Sequence, residues 1–221
     1  MIGEDIRAKV FRDTKNFYKT FPEGVVGPQL IRFARRYAGH RILDMGCATG
    51  NYCTVLSRLG FDVTGADVNA EYVEIARSRG VNAVRIEGQV PFPDGSFDTV
   101  LSFEVIEHVA DPDQLVHEAR RLASKNVLLT TPNSGDIEGL QRQNLLLEHF
   151  ADLDHRNFFT RTSLYDVLRP HFRNVRVIED EGINPLGLFA FRPIRLAGAA
   201  LVRSHLWRPR FYFRLYALAE V

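Results

Sequence analysis

With 221 residues, 45% hydrophobic and 25% charged, the chain is long enough to bury one sizeable core without disulfide or metal staples. A formal net charge of +1 argues against a general nucleic-acid binder, whose phosphate contacts demand a strongly basic surface, and two cysteines, Cys47 and Cys53, are too few for a secreted disulfide scaffold. No stretch reaches the roughly 18 uninterrupted apolar residues of a membrane span, and Met1–Thr20 lacks an apolar signal core, so a soluble, cytoplasmic protein is expected.

Up to Pro28 the chain mixes charges and aromatics; from there Leu30, Ile31, Phe33, Ala34 and Tyr37 recur at helical spacing. Arg41–Met45 gives a short strand signal, and after a glycine turn Tyr52–Leu59 reads as a helix closed by Gly60. Phe61–Asp67 reads as a second strand, Ala70–Arg79 as a helix closed by Gly80, and Val81–Ile86 as a third strand. Phe97–Phe103 follows the turn Pro93-Asp94-Gly95 as a fourth strand, Leu115–Leu122 is the next helix, and Asn126–Thr130 is a fifth strand broken at Pro132-Asn133. The signal weakens over Ser134–Asn157, where Leu145-Leu146-Leu147 fits a lid helix or an inserted segment. Thr160–Leu168 reads as a helix, Val175–Ile178 as a sixth strand and Leu215–Ala219 as a final strand at the sheet edge.

This alternation implies an α/β chain, a Rossmann-like, seven-stranded, mostly parallel sheet with helices on both faces. A single domain, 1–221, is expected. It divides into an N-terminal helical lid segment (1–39), a cofactor-binding core (40–180), a basic and apolar insertion before the last strand (181–212) and that strand (213–221).

The first strand ends in Asp44-Met45-Gly46-Cys47-Ala48-Thr49-Gly50, a D-x-G-x-x-x-G turn and not the G-x-G-x-x-G of dinucleotide sites. A dinucleotide brings a pyrophosphate, which an acid at Asp44 would repel; S-adenosylmethionine brings an ammonium and a sulfonium, which that acid attracts. Gly46 and Gly50 supply the tight turn and close backbone approach. Asp67, at the end of the second strand and about 20 residues further on, is placed to accept hydrogen bonds from both ribose hydroxyls.

Ile42 to Gly50 resembles motif I of class I methyltransferases, in the branch of the ubiquinone-biosynthesis O-methyltransferases. The resemblance continues in Pro91–Asp98, in Phe103-Glu104-Val105-Ile106-Glu107-His108-Val109 and in Leu128-Leu129-Thr130-Thr131-Pro132-Asn133, so it covers residues 40 to about 180. It implies S-adenosylmethionine held by Asp44, Gly46, Cys47, Ala48, Gly50, Asp67, Val68 and Phe103, with Glu87 or Gln89 at the adenine in a shortened segment after strand three. It also implies a lid role for Tyr18 and Phe21, beside which stands the alternative that they only anchor a helix.

A sulfonium is already an activated methyl donor, so the protein need mostly align the acceptor and exclude water. For a hydroxyl acceptor, His108 is the first candidate base, with Glu107 beside it. Glu104, Glu107 and His108 have spacing that puts them on one side of a helical turn. With His155 they offer two carboxylates and two imidazoles to a divalent metal, an arrangement that resembles small-RNA 2′-O-methyltransferases. The metal-free reading, in which these residues shape the pocket, is preferred. His117, His149 and His171 read as structural.

From Gly182 to Ala219 there is no Asp or Glu, but there are six arginines, Arg192, Arg195, Arg203, Arg208, Arg210 and Arg214. Ile194, Ala197, Leu201 and Val202 recur at helical spacing with Trp207 and Phe211–Phe213 behind them. One reading is peripheral membrane contact through 192–214, or a lipid-linked or anionic acceptor; the preferred one is a helical pair packed on the sheet and forming the acceptor pocket. The leading functional expectation is methyl transfer to a small-molecule acceptor, at a hydroxyl oxygen. The alternatives are a metal-dependent RNA-terminal ribose 2′-O-methyltransferase and a non-catalytic S-adenosylmethionine-binding protein.

Overall fold

The computed structural model describes residues 22–142, 148–184, 186, 191–204 and 206–221. Tyr18, Phe21 and the Leu145–Leu147 patch lie outside the described residues. Seven strands form one sheet: β1 (Arg41–Met45), β2 (Asp62–Asp67), β3 (Ala83–Arg85), β4 (Phe97–Phe103), β5 (Ala123–Pro132), β6 (Asn174–Gly182) and β7 (Tyr212–Glu220). Their order is β3-β2-β1-β4-β5-β7-β6. The first five run parallel to one another, and β7 runs antiparallel to both β5 and β6.

The described helices are α1 (Pro28–Tyr37), α2 (Asn51–Arg58), α3 (Ala70–Ser78), α4 (Pro112–Leu122), α5 (Ile137–Arg142), α6 (Arg161–Leu168) and α7 (Arg192–Arg203). Proline at the first helical position starts α1 and α4, where the missing N–H costs nothing. Asn69 caps α3 by accepting from the backbone of Glu71 and Tyr72, and Thr160 and Ser163 close a capping box on α6.

Neighbouring residues in each central strand serve opposite faces, which is why these strands read as continuous apolar runs. Ile42, Leu101 and Leu128 pack with Leu30 and Phe33 of α1 and Leu56 of α2. Leu43, Val100, Val127 and Leu129 pack with Val116 and Leu122 of α4 and Leu164 and Leu168 of α6. The chain passes from β1 out to β2 on one side and returns to β4 on the other, so a crevice opens beyond the carboxyl ends of β1 and β4, where such sheets bind ligands.

Two expectations need correcting. The last strand is not at the edge: β7 is inserted between β5 and β6, with Leu215, Tyr216, Ala217 and Ala219 buried, while β6, polar at Glu179-Asp180-Glu181, forms the rim. A strand with a long apolar run, Leu215–Ala219, belongs inside a sheet and a charged one at its border. The turn after β4 also leaves Glu104 out, so Glu104, Glu107 and His108 do not share one side of it. Glu104 sits at φ 56, and Val105–His108 makes a single turn closed by His108 N–H donating to the Val105 carbonyl at 2.9 Å.

Candidate active site

The turn after β1 is pinned to β2 from below. Gly46 and Cys47 N–H both donate to the Ala66 carbonyl, at 2.8 and 3.1 Å, and Ala48 N–H donates to the Asp67 carboxylate at 2.8 Å. Gly46 at φ +86 and Gly50 at φ +81 adopt the left-handed conformation that side chains resist; a Cβ on Gly46 would also stand 2.4 Å from Val105. Gly50 then caps α2.

Asp44 lies beneath this turn, 2% exposed, with the Cys53 thiol donating to it at 3.3 Å. Burial pushes its carboxyl up to about 7, against the Cys53 hydrogen bond and with the help of the Asp67 charge. Asp67 is likewise raised by burial, an effect opposed by the backbone N–H groups of Asn69 and Ala48. One Asp67 oxygen accepts the Ala48 N–H and the other the Asn69 N–H, which fixes the carboxylate where it lines the cavity.

That cavity, about 1580 Å³, runs from the β1 turn past Phe103 to the loop at 149–156. Its far wall comes from the turn after β4, held in place by residues some 50 positions away. The Glu107 carbonyl accepts from the backbone of Arg156 and Asn157, and the Asn157 side chain donates to the carbonyls of Ile106 and Val109 at 3.2 and 2.8 Å. His108 and His155 thereby come face to edge, ring centroids 4.7 Å apart. The His108 Nδ1 bonds the Asp154 carbonyl at 3.2 Å and the His155 Nδ1 the His149 carbonyl at 2.9 Å. A carbonyl only accepts, so each Nδ1 carries the proton and each Nε2, when the ring is neutral, keeps its lone pair.

Glu107 is 1% exposed, and neither carboxyl oxygen has a hydrogen-bond partner among the described residues. Burial, then the charge of Glu104, pushes it well above the usual carboxylate range. Glu104 itself accepts from Thr130 at 2.9 Å and from the Arg214 Nε at 3.0 Å, and Arg214 is clamped from its other side by Glu181. Burial works against the Arg214 charge, but Glu104 and Glu181 outweigh it and hold the guanidinium firmly protonated.

Of the residues expected at the cofactor, Asp44, Gly46, Cys47, Ala48, Asp67, Val68, Gln89 and Phe103 all line the cavity, and Gly50 shapes its turn. Glu87 does not line it: it points to solvent in an ion pair with Arg85 at 2.6 Å. Gly88, at φ +87, reverses the backbone between Glu87 and Gln89, and Gln89, though exposed, lies on the cavity's rim. Of the four candidate metal ligands, Glu107, His108 and His155 hold one ligand atom each within 4.8 Å of one another, whereas Glu104 is engaged by Thr130 and Arg214. His149, expected as structural, is buried against the same wall without a partner for either ring nitrogen among the described residues. Burial, and then the His155 charge, lowers it to about 4. Tyr52 and Arg214 also line the cavity. Their sequence contexts, a helix face and an arginine-rich tail, carried no signal of it.

The donor set fits a cationic ligand better than an anionic one, because Asp44, Asp67, Glu104 and Glu107 converge on the cavity and Arg214 is committed to carboxylates. With the doubly flanked β1 and an acid at the end of both β1 and β2, this defines the class of domain that takes S-adenosylmethionine. A family model described as a methyltransferase domain matches residues 18–171, and the chain belongs to that family. It is 35% identical to a ubiquinone biosynthesis O-methyltransferase of Chelativorans sp. over 105 residues, 44% of this chain and 42% of that one. It is 32% identical to the uncharacterized methyltransferase YcgJ of Bacillus subtilis over 127 residues, 54% of this chain and 49% of that one. The matches thus span about half, or less, of these relatives' length. A crystal structure of a SAM-dependent methyltransferase from Archaeoglobus fulgidus superposes with a TM-score of 0.63 at 19% identity and covers 100% of both chains, a likeness of fold.

Proposed function

We propose that the protein transfers the methyl group of S-adenosylmethionine to a hydroxyl oxygen of a small-molecule acceptor, with His108 as the base. When bound, S-adenosylmethionine supplies a methyl group already activated on a cationic sulfur. Asp44 would hold the ammonium end, Asp67 the ribose hydroxyls, and Val68, Gln89 and Phe103 the faces and rim of the adenosine. The carboxylate excess around the cavity supports a neutral acceptor over an anionic one.

The observation that carries the reading is the placement of His108 on the cavity wall, its Nδ1–H fixed by the Asp154 carbonyl and its Nε2 left as the proton acceptor. Glu107 is buried beside it, and burial followed by the charge of Glu104 raises its carboxyl well above the usual range. The names of the curated O-methyltransferase relatives point the same way. The test is a screen of hydroxyl-bearing small molecules with labelled S-adenosylmethionine, the product position being read by mass spectrometry. An O-methyl product is expected, with His108→Ala lowering kcat by about 10²–10⁴-fold; methylation at nitrogen or carbon would contradict the reading.

A metal-assisted form of the same reaction rests on one observation: Glu107, His108 and His155 converge within 4.8 Å, with both Nδ1 atoms already bonded to carbonyls as metal-ligating histidines usually are. A divalent ion there would give the buried Glu107 carboxylate a close counter-charge and lower the pKa of a bound hydroxyl. Calorimetric titration of the chelator-treated protein with Zn²⁺, Mn²⁺ and Mg²⁺ decides this. Stoichiometric binding lost in His155→Ala supports the metal form, whereas activity that survives chelation rejects it.

A further inference from the structure

An amphipathic helix on a globular domain turns its apolar stripe to the core, but α7 does the reverse. Gly198 is its one buried residue. It is pressed so close to the segment before the helix that a Cβ would come within 2.4 Å of the Asn184 side chain and 2.8 Å of Leu186. The Asn184 side chain donates to the Arg195 carbonyl at 3.0 Å, and Val202 lies over Gly182. Gly198 and Val202 thus mark the side that touches the protein. At about 100° per residue, Leu196, Ala200, Pro193, Ala197 and Leu201 sweep roughly 140° of the side away from Gly198 and Val202, with Ile194 at the margin. Leu196 is 59% exposed, and Leu206, in the turn that follows, is 80% exposed.

Cations border this arc. Arg192 and Arg203 fall at its edge and Arg195 beyond them, and with Arg208 they enter no ion pair among the described residues. Arg210, by contrast, is held by Asp136 and Arg214 by Glu104 and Glu181. No acid occurs between Gly182 and Ala219 to answer the remaining four. Phe191 and Trp207 stand exposed at the two ends of the helix.

We propose that α7, with the Leu206–Trp207 turn, docks the protein on an anionic lipid bilayer. The apolar arc enters the boundary between headgroups and acyl chains, and Arg192, Arg203 and Arg208 meet lipid phosphates, while Arg195 stays on the opposite side of the helix. A second copy of the chain would set arginine against arginine, and a nucleic acid would answer the charge but leave the arc in water. The helix leaves β6 and enters β7 at the end of the sheet where the parallel strands finish, so docking places the bilayer at the same edge as the cavity that Phe213 and Arg214 line. This proposal is independent of the methyl acceptor and of the site's chemistry.

Trp207 is the sole tryptophan, which makes it a reporter built into the surface. The full-length protein is mixed with phosphatidylglycerol–phosphatidylcholine vesicles, and with phosphatidylcholine vesicles for comparison. The expected result is co-flotation with the anionic vesicles only, with a blue shift of Trp207 emission and quenching by brominated acyl chains. Leu196→Ser/Leu201→Ser abolishes the shift, and Arg192→Ala/Arg203→Ala lowers partitioning by about thirtyfold. Both variants keep wild-type S-adenosylhomocysteine affinity, which shows that they are folded. Three results would overturn the proposal: no partitioning into anionic vesicles, partitioning that both double variants retain, or a Trp207 shift that follows protein concentration without lipid and marks self-association through α7.

Discussion

Asp44 is a carboxyl whose burial and whose ligand pull in opposite directions. Burial raises it to about 7, while the ammonium of a bound cofactor favours its ionised form, so binding below that pH must expel a proton. Affinity for S-adenosylhomocysteine is therefore expected to rise with pH, by at most about tenfold per unit, and to level off above about 7. Titrations at several pH values, in buffers of different ionisation enthalpy, read both affinity and proton release, and Asp44→Asn should bind more weakly with that slope gone. The same shift acts on stability with the opposite sign. The folded state binds this proton more tightly than the unfolded state, whose carboxyl titrates near 3.9. Its contribution is full below about pH 4 and is lost as pH rises through about 7, so ligand-free protein loses this part of its stability over the range in which ligand affinity grows. Asp44 and Asp67 were legible in the sequence because strand ends and glycine turns fix where they point. Glu87 and Gln89 were not, because the choice between them is made by the positive φ of Gly88, which spacing alone does not show.

Between elements, the far wall of the site depends on a contact that no local pattern announces. The turn after β4 and the loop at 154–157 are tied by the Asn157 side chain to two carbonyls and by the Glu107 carbonyl to two N–H groups. Asn157→Ala should cost about 1–3 kcal/mol of stability through the orphaned carbonyls. It should also lower kcat more than cofactor affinity, since His108 and His155 lose their alignment while the β1 turn is untouched. Denaturant unfolding alongside steady-state kinetics checks the pair of effects, and a loss of cofactor affinity alone would contradict it. The strands and helices of the core were readable because apolar periodicity and capping residues are local. The position of β7 was not, because strand order follows from long-range pairing; the burial contrast between Leu215–Ala219 and Glu179–Glu181 carried the only hint.

Over the whole molecule, the chain divides its charges by task. Carboxylates converge on a cavity at the switch in strand order, and arginines free of ion pairs among the described residues gather on a helix that lines none of it. The near-neutral total of +1 hides both. The fold class, the cofactor turn and the basic tail could be read in advance, since each is a contiguous pattern. The convergence of Glu107, His108 and His155 could only be suspected, and the place of His149 beside them not at all, since it joins two loops across the sheet edge. The central claim is that the turn after β1, together with Asp67, holds S-adenosylmethionine. Calorimetric titration with S-adenosylhomocysteine, wild type beside Asp67→Ala, tests it most directly. The account predicts one-to-one binding that the substitution weakens by about 1–3 kcal/mol; no binding by the intact protein, or equal binding by both, would contradict it.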